Sequence, residues 1–193
     1  IMFINDELQG VYNFNLDRYS TNSLGYTDPD KVLVYEISAN SDTTAGAFYS
    51  WTEASGKSEL DYYSSDFICL YPPTRANGAD NMEELIRLVE WVNDSSDEDF
   101  KDNMPRYFNI QYLLRYFLYV YVVGAVDSLG KNMKLTTWDG QIWYPQVYDA
   151  DTTIGLDNSG FMKFDMDIEM GDHHVFNTTG SRLWKRVIEL FKV

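Results

Sequence analysis

Asp127, Lys131 and Asn132 follow one strongly apolar run, and Asp149 and Asp151 follow a second pattern of strand and turn. The first group closes the stretch Tyr-Val-Val-Gly-Ala-Val-Asp-Ser-Leu-Gly-Lys-Asn over 121–132, which delivers an acid, a base and an amide into one tight turn. The second lies in Val-Tyr-Asp-Ala-Asp-Thr-Thr-Ile-Gly over 147–155. A catalytic Asp, an Asn five residues later that holds magnesium, and a further Asp beyond a short hairpin are the set with which phosphotransferases hold a metal–nucleotide. Asp127 and Asn132 have that spacing.

Such groups act together only if the chain carries them to one place. Asn109 is positioned to cap a helix from 110 to about 123, whose nearly continuous apolar character predicts the buried centre of a helical region. A hairpin follows, 133–138 and 141–147, with Asp139-Gly140 as its turn signal. Upstream, Asn81 is positioned to cap a helix ending near Asn93 whose Leu85, Ile86, Leu88, Val89 and Val92 share one face, and a short acidic helix follows over 97–102. Ser181 opens a last amphipathic helix carrying Leu183, Trp184, Val187, Ile188 and Phe191. Nearer the start, residues 10–18 and 31–37 alternate with a period near two and predict strands, and 48–51 and 62–71 predict further edges. Pro72-Pro73 and Asn77-Gly78 mark the change from one period to the other. The resulting expectation is an α+β domain of two lobes, β-rich over 1–72 and helical over 73–193, with the hairpin at the site.

The 193 residues, 45% hydrophobic and 16% aromatic, suffice for one substantial core or two small lobes and place the chain among globular proteins. A formal net charge of -15 argues against a nucleic-acid partner, since phosphate backbones are bound by clustered Lys and Arg. It also argues against an anionic membrane surface, and for a basic protein partner. The single Cys69 lies in Phe-Ile-Cys-Leu-Tyr and reads as a buried thiol. The longest apolar stretch, 116–126, is about half of the ~20 residues needed to cross a bilayer. The start at Ile1 and the end at Val193 suggest a piece of a longer polypeptide.

The order over residues 108–155 of apolar helix, Asp-x-x-x-Lys-Asn, strand, Asp-Gly turn, strand, Tyr-Asp-Ala-Asp and Gly resembles the core of the spore-coat CotH kinase family. Gly10-Val-Tyr-Asn-Phe-Asn-Leu resembles that family's N-terminal hairpin, and Arg182-Leu-Trp-Lys-Arg the helix after its second Asp motif. The wording Gly-Lys-Asn-Met with Tyr-Asp-Ala-Asp-Thr-Thr-Ile-Gly is more similar to CotH-like domains in structural proteins of bacteriophages and prophages. The resemblance implies an atypical protein-kinase-like fold that uses ATP and Mg2+ to phosphorylate protein Ser or Thr. Carried over by position, Asp127 orients the substrate hydroxyl, Lys131 neutralises the transferring phosphoryl, and Asn132 binds metal or supports the loop. Asp149 and Asp151 both match the family's Asp-x-Asp, and at least one ligates magnesium. Asp151 is slightly preferred, because residues i and i+2 of a strand face the same way and the Gly155 turn lies beyond it. One departure stands out. Where the family often has a nucleotide-binding Lys in Leu-Tyr-Lys, this chain has Val34-Tyr35-Glu36, and a carboxylate repels a triphosphate. Arg18 or Lys31 is then the expected substitute cation. The implied partners are a protein substrate or neighbouring virion proteins, basic in charge, in a bacterial cytoplasm or a phage particle. A catalytically inactive virion module of the same family is the alternative, favoured by Glu36 and the aromatic load.

Blander readings stand beside these. Asp127 and Asn132 suit a turn that ends a helix and starts a strand. Asp149 and Asp151 suit a solvated strand end, or a calcium site with Asp157 and Asn158. His173 and His174, adjacent on the chain, point apart in a strand and read as loop residues, and Asp165, Asp167 and Glu169 alternate with apolar neighbours as on a half-exposed strand. Trp138 and Trp143 suit either a carbohydrate surface or packing of the hairpin onto the helices.

Overall fold

The computed structural model describes residues 2–4, 7–10, 25, 28–38, 48, 56–57, 67–72, 78, 81–125, 128–150, 153–156, 161–162 and 181–191. The fold is α+β. Strands β1 (Met2–Ile4) and β2 (Glu7–Gly10) form a small antiparallel hairpin. The main sheet contains β3 (Leu33–Ser38), the two-residue β4 (Gly56–Lys57), β5 (Phe67–Tyr71), β6 (Lys131–Thr137) and β7 (Trp143–Val147). Its order is β4-β5-β3-β6-β7, antiparallel except where β4 runs parallel to β5.

Alternation along the strands gives the sheet two different faces. Leu33, Tyr35, Ile37, Phe67, Cys69, Met133, Leu135 and Trp143 join the main core, together with the inward positions of helices α1 (Glu83–Asp94), α2 (Asp97–Asn103), α3 (Ile110–Val123) and α4 (Arg182–Phe191). Val32 and Val34, with Leu70 and Tyr71, form a second, smaller cluster. The hairpin β6–β7, expected with the helices of 73–193, hydrogen-bonds through β6 to β3, so one sheet and one core span residue 72.

Cys69 is buried as expected, its Sγ near the Pro72 carbonyl. Asn109 caps α3 by accepting from the Tyr112 N–H at 3.0 Å, and Ser96 caps α2 through Asp99. Asn81 does not cap α1. Met82 holds the N-cap position without a side-chain bond, while buried Asn81 donates to the Pro72 carbonyl and accepts from the Tyr35 hydroxyl through its own. Asn81 thus serves as a tie between sheet and helix. Phe48, expected in a strand, is a buried turn residue with φ 66. The expected strand at 10–18 lies outside the described residues beyond Gly10, as do positions 165, 167, 169, 173 and 174.

One finding corrects the reading of the helices and another adds to it. Of α3, only Leu113, Tyr116 and Val120 are buried, whereas Leu118 and Val122 are 59% and 71% exposed and Leu114 and Tyr121 are exposed too. It is a surface helix, because three inward positions at i, i+3 and i+7 are enough to seat it. The second concerns α4. Arg186 is buried, its guanidinium donating to the Val92 carbonyl and Ser95 Oγ at 2.8 Å and to Asp97 Oδ1 at 3.0 Å while lying 4.2 Å from the Phe100 ring. One planar fork therefore fastens α4 to α1 and α2. No helix among the described residues is long and apolar enough to cross a membrane.

Candidate active site

The candidate residues that the structure describes, Asn132 and Asp149, lie at one end of the β6–β7 hairpin. The ladder pairs Ile37 with Met133 and Ser38 with Lys131, so Asn132 is the extra residue of a β-bulge, at φ 50. Asparagine tolerates this left-handed backbone better than most residues. Across the hairpin Met133 pairs with Val147, so the chain beyond, Tyr148 and Asp149, emerges beside Asn132. Asp149 is solvent-exposed and also left-handed, at φ 54. β7 has ended by then, so the parity of i and i+2 that favoured Asp151 over Asp149 does not apply to this segment.

The end of α3 is tied to the same place. Gly124, at φ 63, closes the helix with its N–H on Tyr121 and the Ala125 N–H on Val120. The Val123 carbonyl accepts from the Ile154 N–H at 2.7 Å, which joins the segment after Asp149 to the helix end before Asp127. On the far side of Asp127, the Ser128 carbonyl accepts from the buried Tyr116 hydroxyl at 2.6 Å. Burial, then the neighbouring Tyr119 and Tyr112 hydroxyls, push this phenol well above its ordinary range, so it stays a donor. Asp127 and Asp151 themselves, and the side chain of Lys131, lie outside the described residues; the described tie between the two segments is the Val123–Ile154 hydrogen bond. Among the described residues no three His, Cys, Asp or Glu side chains gather into a metal-binding group.

The substitute cations fare differently. Lys31 is exposed, 3.6 Å from Asp28, and precedes the end of β3 that pairs with Thr137. Six residues of strand separate that end from the one pairing with Lys131, roughly 17 Å, so Lys31 is not brought to Asn132 and Asp149. Arg18 lies outside the described residues. At the opposite end of the hairpin from Asn132, Asp139 accepts from the Gln141 and Ile142 N–H groups at 2.8 Å and from the Thr137 hydroxyl at 3.0 Å. Partial burial alone would raise this carboxyl, but these donors outweigh it and hold it below its ordinary value. The Asp-Gly signal therefore produces a five-residue loop over 138–142 pinned by Asp139. Trp143 is buried in the core, its backbone N–H donating to the Tyr107 carbonyl, and Trp138 packs edge-on to Tyr144, so the hairpin tryptophans are engaged in packing.

A family model described as CotH kinase protein matches residues 1–192. The chain belongs to the CotH family. Comparison with curated proteins returns no match. As a CotH-like kinase domain it keeps the acid and amide pattern, and Lys134, whose ammonium lies 5.2 Å from the centroid of the Tyr148 ring next to Asp149, was not marked in the sequence. Strand alternation signals its direction, since Lys134 and Thr136 interleave with core-facing Met133 and Leu135 and face away from the helices.

Proposed function

We propose that this CotH-family domain transfers a phosphoryl group from ATP, with Mg2+, to a Ser or Thr hydroxyl of a protein, within a kinase-like arrangement. The observation that carries the reading is the β6–β7 register, whose last pair, Met133 with Val147, brings the chain at Asn132 and the chain leading to Asp149 to the same end of the hairpin, the end tied to α3. Their amide and carboxylate oxygens are hard donors, and Asp149 is open to solvent, which fits a magnesium ion that takes only one or two carboxylates and keeps water and phosphate oxygens. When bound, the metal–nucleotide supplies the phosphoryl group. The chain's own residues do the rest: Asn132, Asp149 and Asp151 hold and orient, Lys131 offsets negative charge, and Asp127 accepts the proton of the attacking hydroxyl. The test is transfer of labelled phosphate from ATP to a basic, Ser-rich peptide. Asp127→Ala should lower the rate by about 10²-fold or more, and full transfer by both Asp127→Ala and Asp151→Ala would end this reading.

A second reading, a non-catalytic module of a bacteriophage or prophage virion, draws on the exposed apolar face of α3, which suits packing against neighbours. A kinase gains stability with Mg-ATP according to RT ln(1 + [L]/Kd), and a scaffold does not.

A further inference from the structure

The sheet face turned away from the helices holds a polar strip in apolar surroundings. Glu36 and Lys134 are direct partners across β3 and β6, at 4% and 6% exposure, and the next partner across β7 is Gln146. On either side of Glu36 in its row and the next lie Ile68 and Val34, both buried. Thr136, two residues along the same face from Lys134, has its hydroxyl buried without a hydrogen-bond partner among the described residues.

Lys134 connects the strip to the active site. Lys134 is buried, its ammonium lies 5.2 Å from the centroid of the Tyr148 ring, and Tyr148 is half-buried and immediately precedes Asp149. A lysine carries its charge on four flexible carbons, so its head can reach along the strand toward Tyr148 and Asp149. We propose that Lys134 is the cation that binds the nucleotide phosphates in this chain, and that Glu36 across the ladder competes with the phosphates for it. This rests on the phosphotransferase reading. It also accounts for a carboxylate at position 36. In β3 it faces a lysine in β6, and the phosphate-binding charge comes from the neighbouring strand; Lys31 is at the wrong end of the sheet for that task.

The roles predict opposite signs. Mg-ATP affinity is measured by calorimetric titration and thermal shift on the full chain, for wild type, Lys134→Met, Glu36→Gln, the double variant Glu36→Gln/Lys134→Met, and Lys31→Ala as a control. Lys134→Met should weaken binding about tenfold or more, Glu36→Gln should tighten it several-fold, and Lys31→Ala should match wild type. Should Lys134→Met fold poorly with Glu36 left buried and unmatched, the double variant, which buries no lone charge, carries the test and should bind as weakly. Wild-type affinity in the lysine variants, or weakened binding in Glu36→Gln, overturns the assignment and marks the pair as structural. No response of wild type to Mg-ATP removes the phosphotransferase reading, and this assignment with it.

Discussion

At the scale of single residues, the site depends on backbone as much as on side chains. Asn132 sits in the left-handed region at a bulge, so Asn132→Gly should keep the fold, whereas Asn132→Val should cost ~1–2 kcal/mol. Both lose the amide oxygen. Thermal melts with and without Mg-ATP should therefore show Asn132→Gly near wild type alone and unresponsive to nucleotide. Asp139 makes a prediction about acid. Its folded carboxyl is held below the ordinary 3.8, so the stability it contributes is fully present above that value and is lost as pH falls through the folded value. The gap in melting temperature between wild type and Asp139→Asn should then be widest near neutrality and close in acid, and a gap that does not change below pH 3.8 would contradict the linkage.

At the scale of elements, α3 shows how far a hydrophobic run can mislead. Its Asn109 cap and its end at Gly124 were legible in residue type, because an amide caps a helix start and glycine adopts the left-handed end. Its burial was not, since periodicity cannot say how many neighbours will cover a helix. The two sides of α3 should therefore respond differently to change in urea melts. Leu113→Ala should cost ~2–5 kcal/mol, as for other buried leucines, and Leu118→Ser should stay within about 0.5 kcal/mol. Equal losses would mean that the outer face is covered.

At the scale of the whole molecule, the closing helix is held by one buried cation. Arg186→Ala would leave the Val92 carbonyl without its donor and Phe100 without its stacked guanidinium, so the domain should lose ~3 kcal/mol. Arg186→Lys should recover only part, because an ammonium cannot serve three acceptors in one plane. Asp97→Ala should cost less, since that carboxylate is mostly exposed. Denaturant midpoints in that order would confirm that α4 is anchored by the planar fork.

The sequence by itself determined the elements and the chemistry carried by the chain: caps, periods of two and 3.6, and an acid and amide pattern that identifies the CotH family. These are local properties, fixed by backbone preference and residue type. Only the tertiary structure decided which ends meet. Pairing of β6 with β3 spans residue 72, aligns Lys134 with Glu36, and leaves Lys31 at the far end, because strand register is set by cores and bulges that bring together residues distant in the chain.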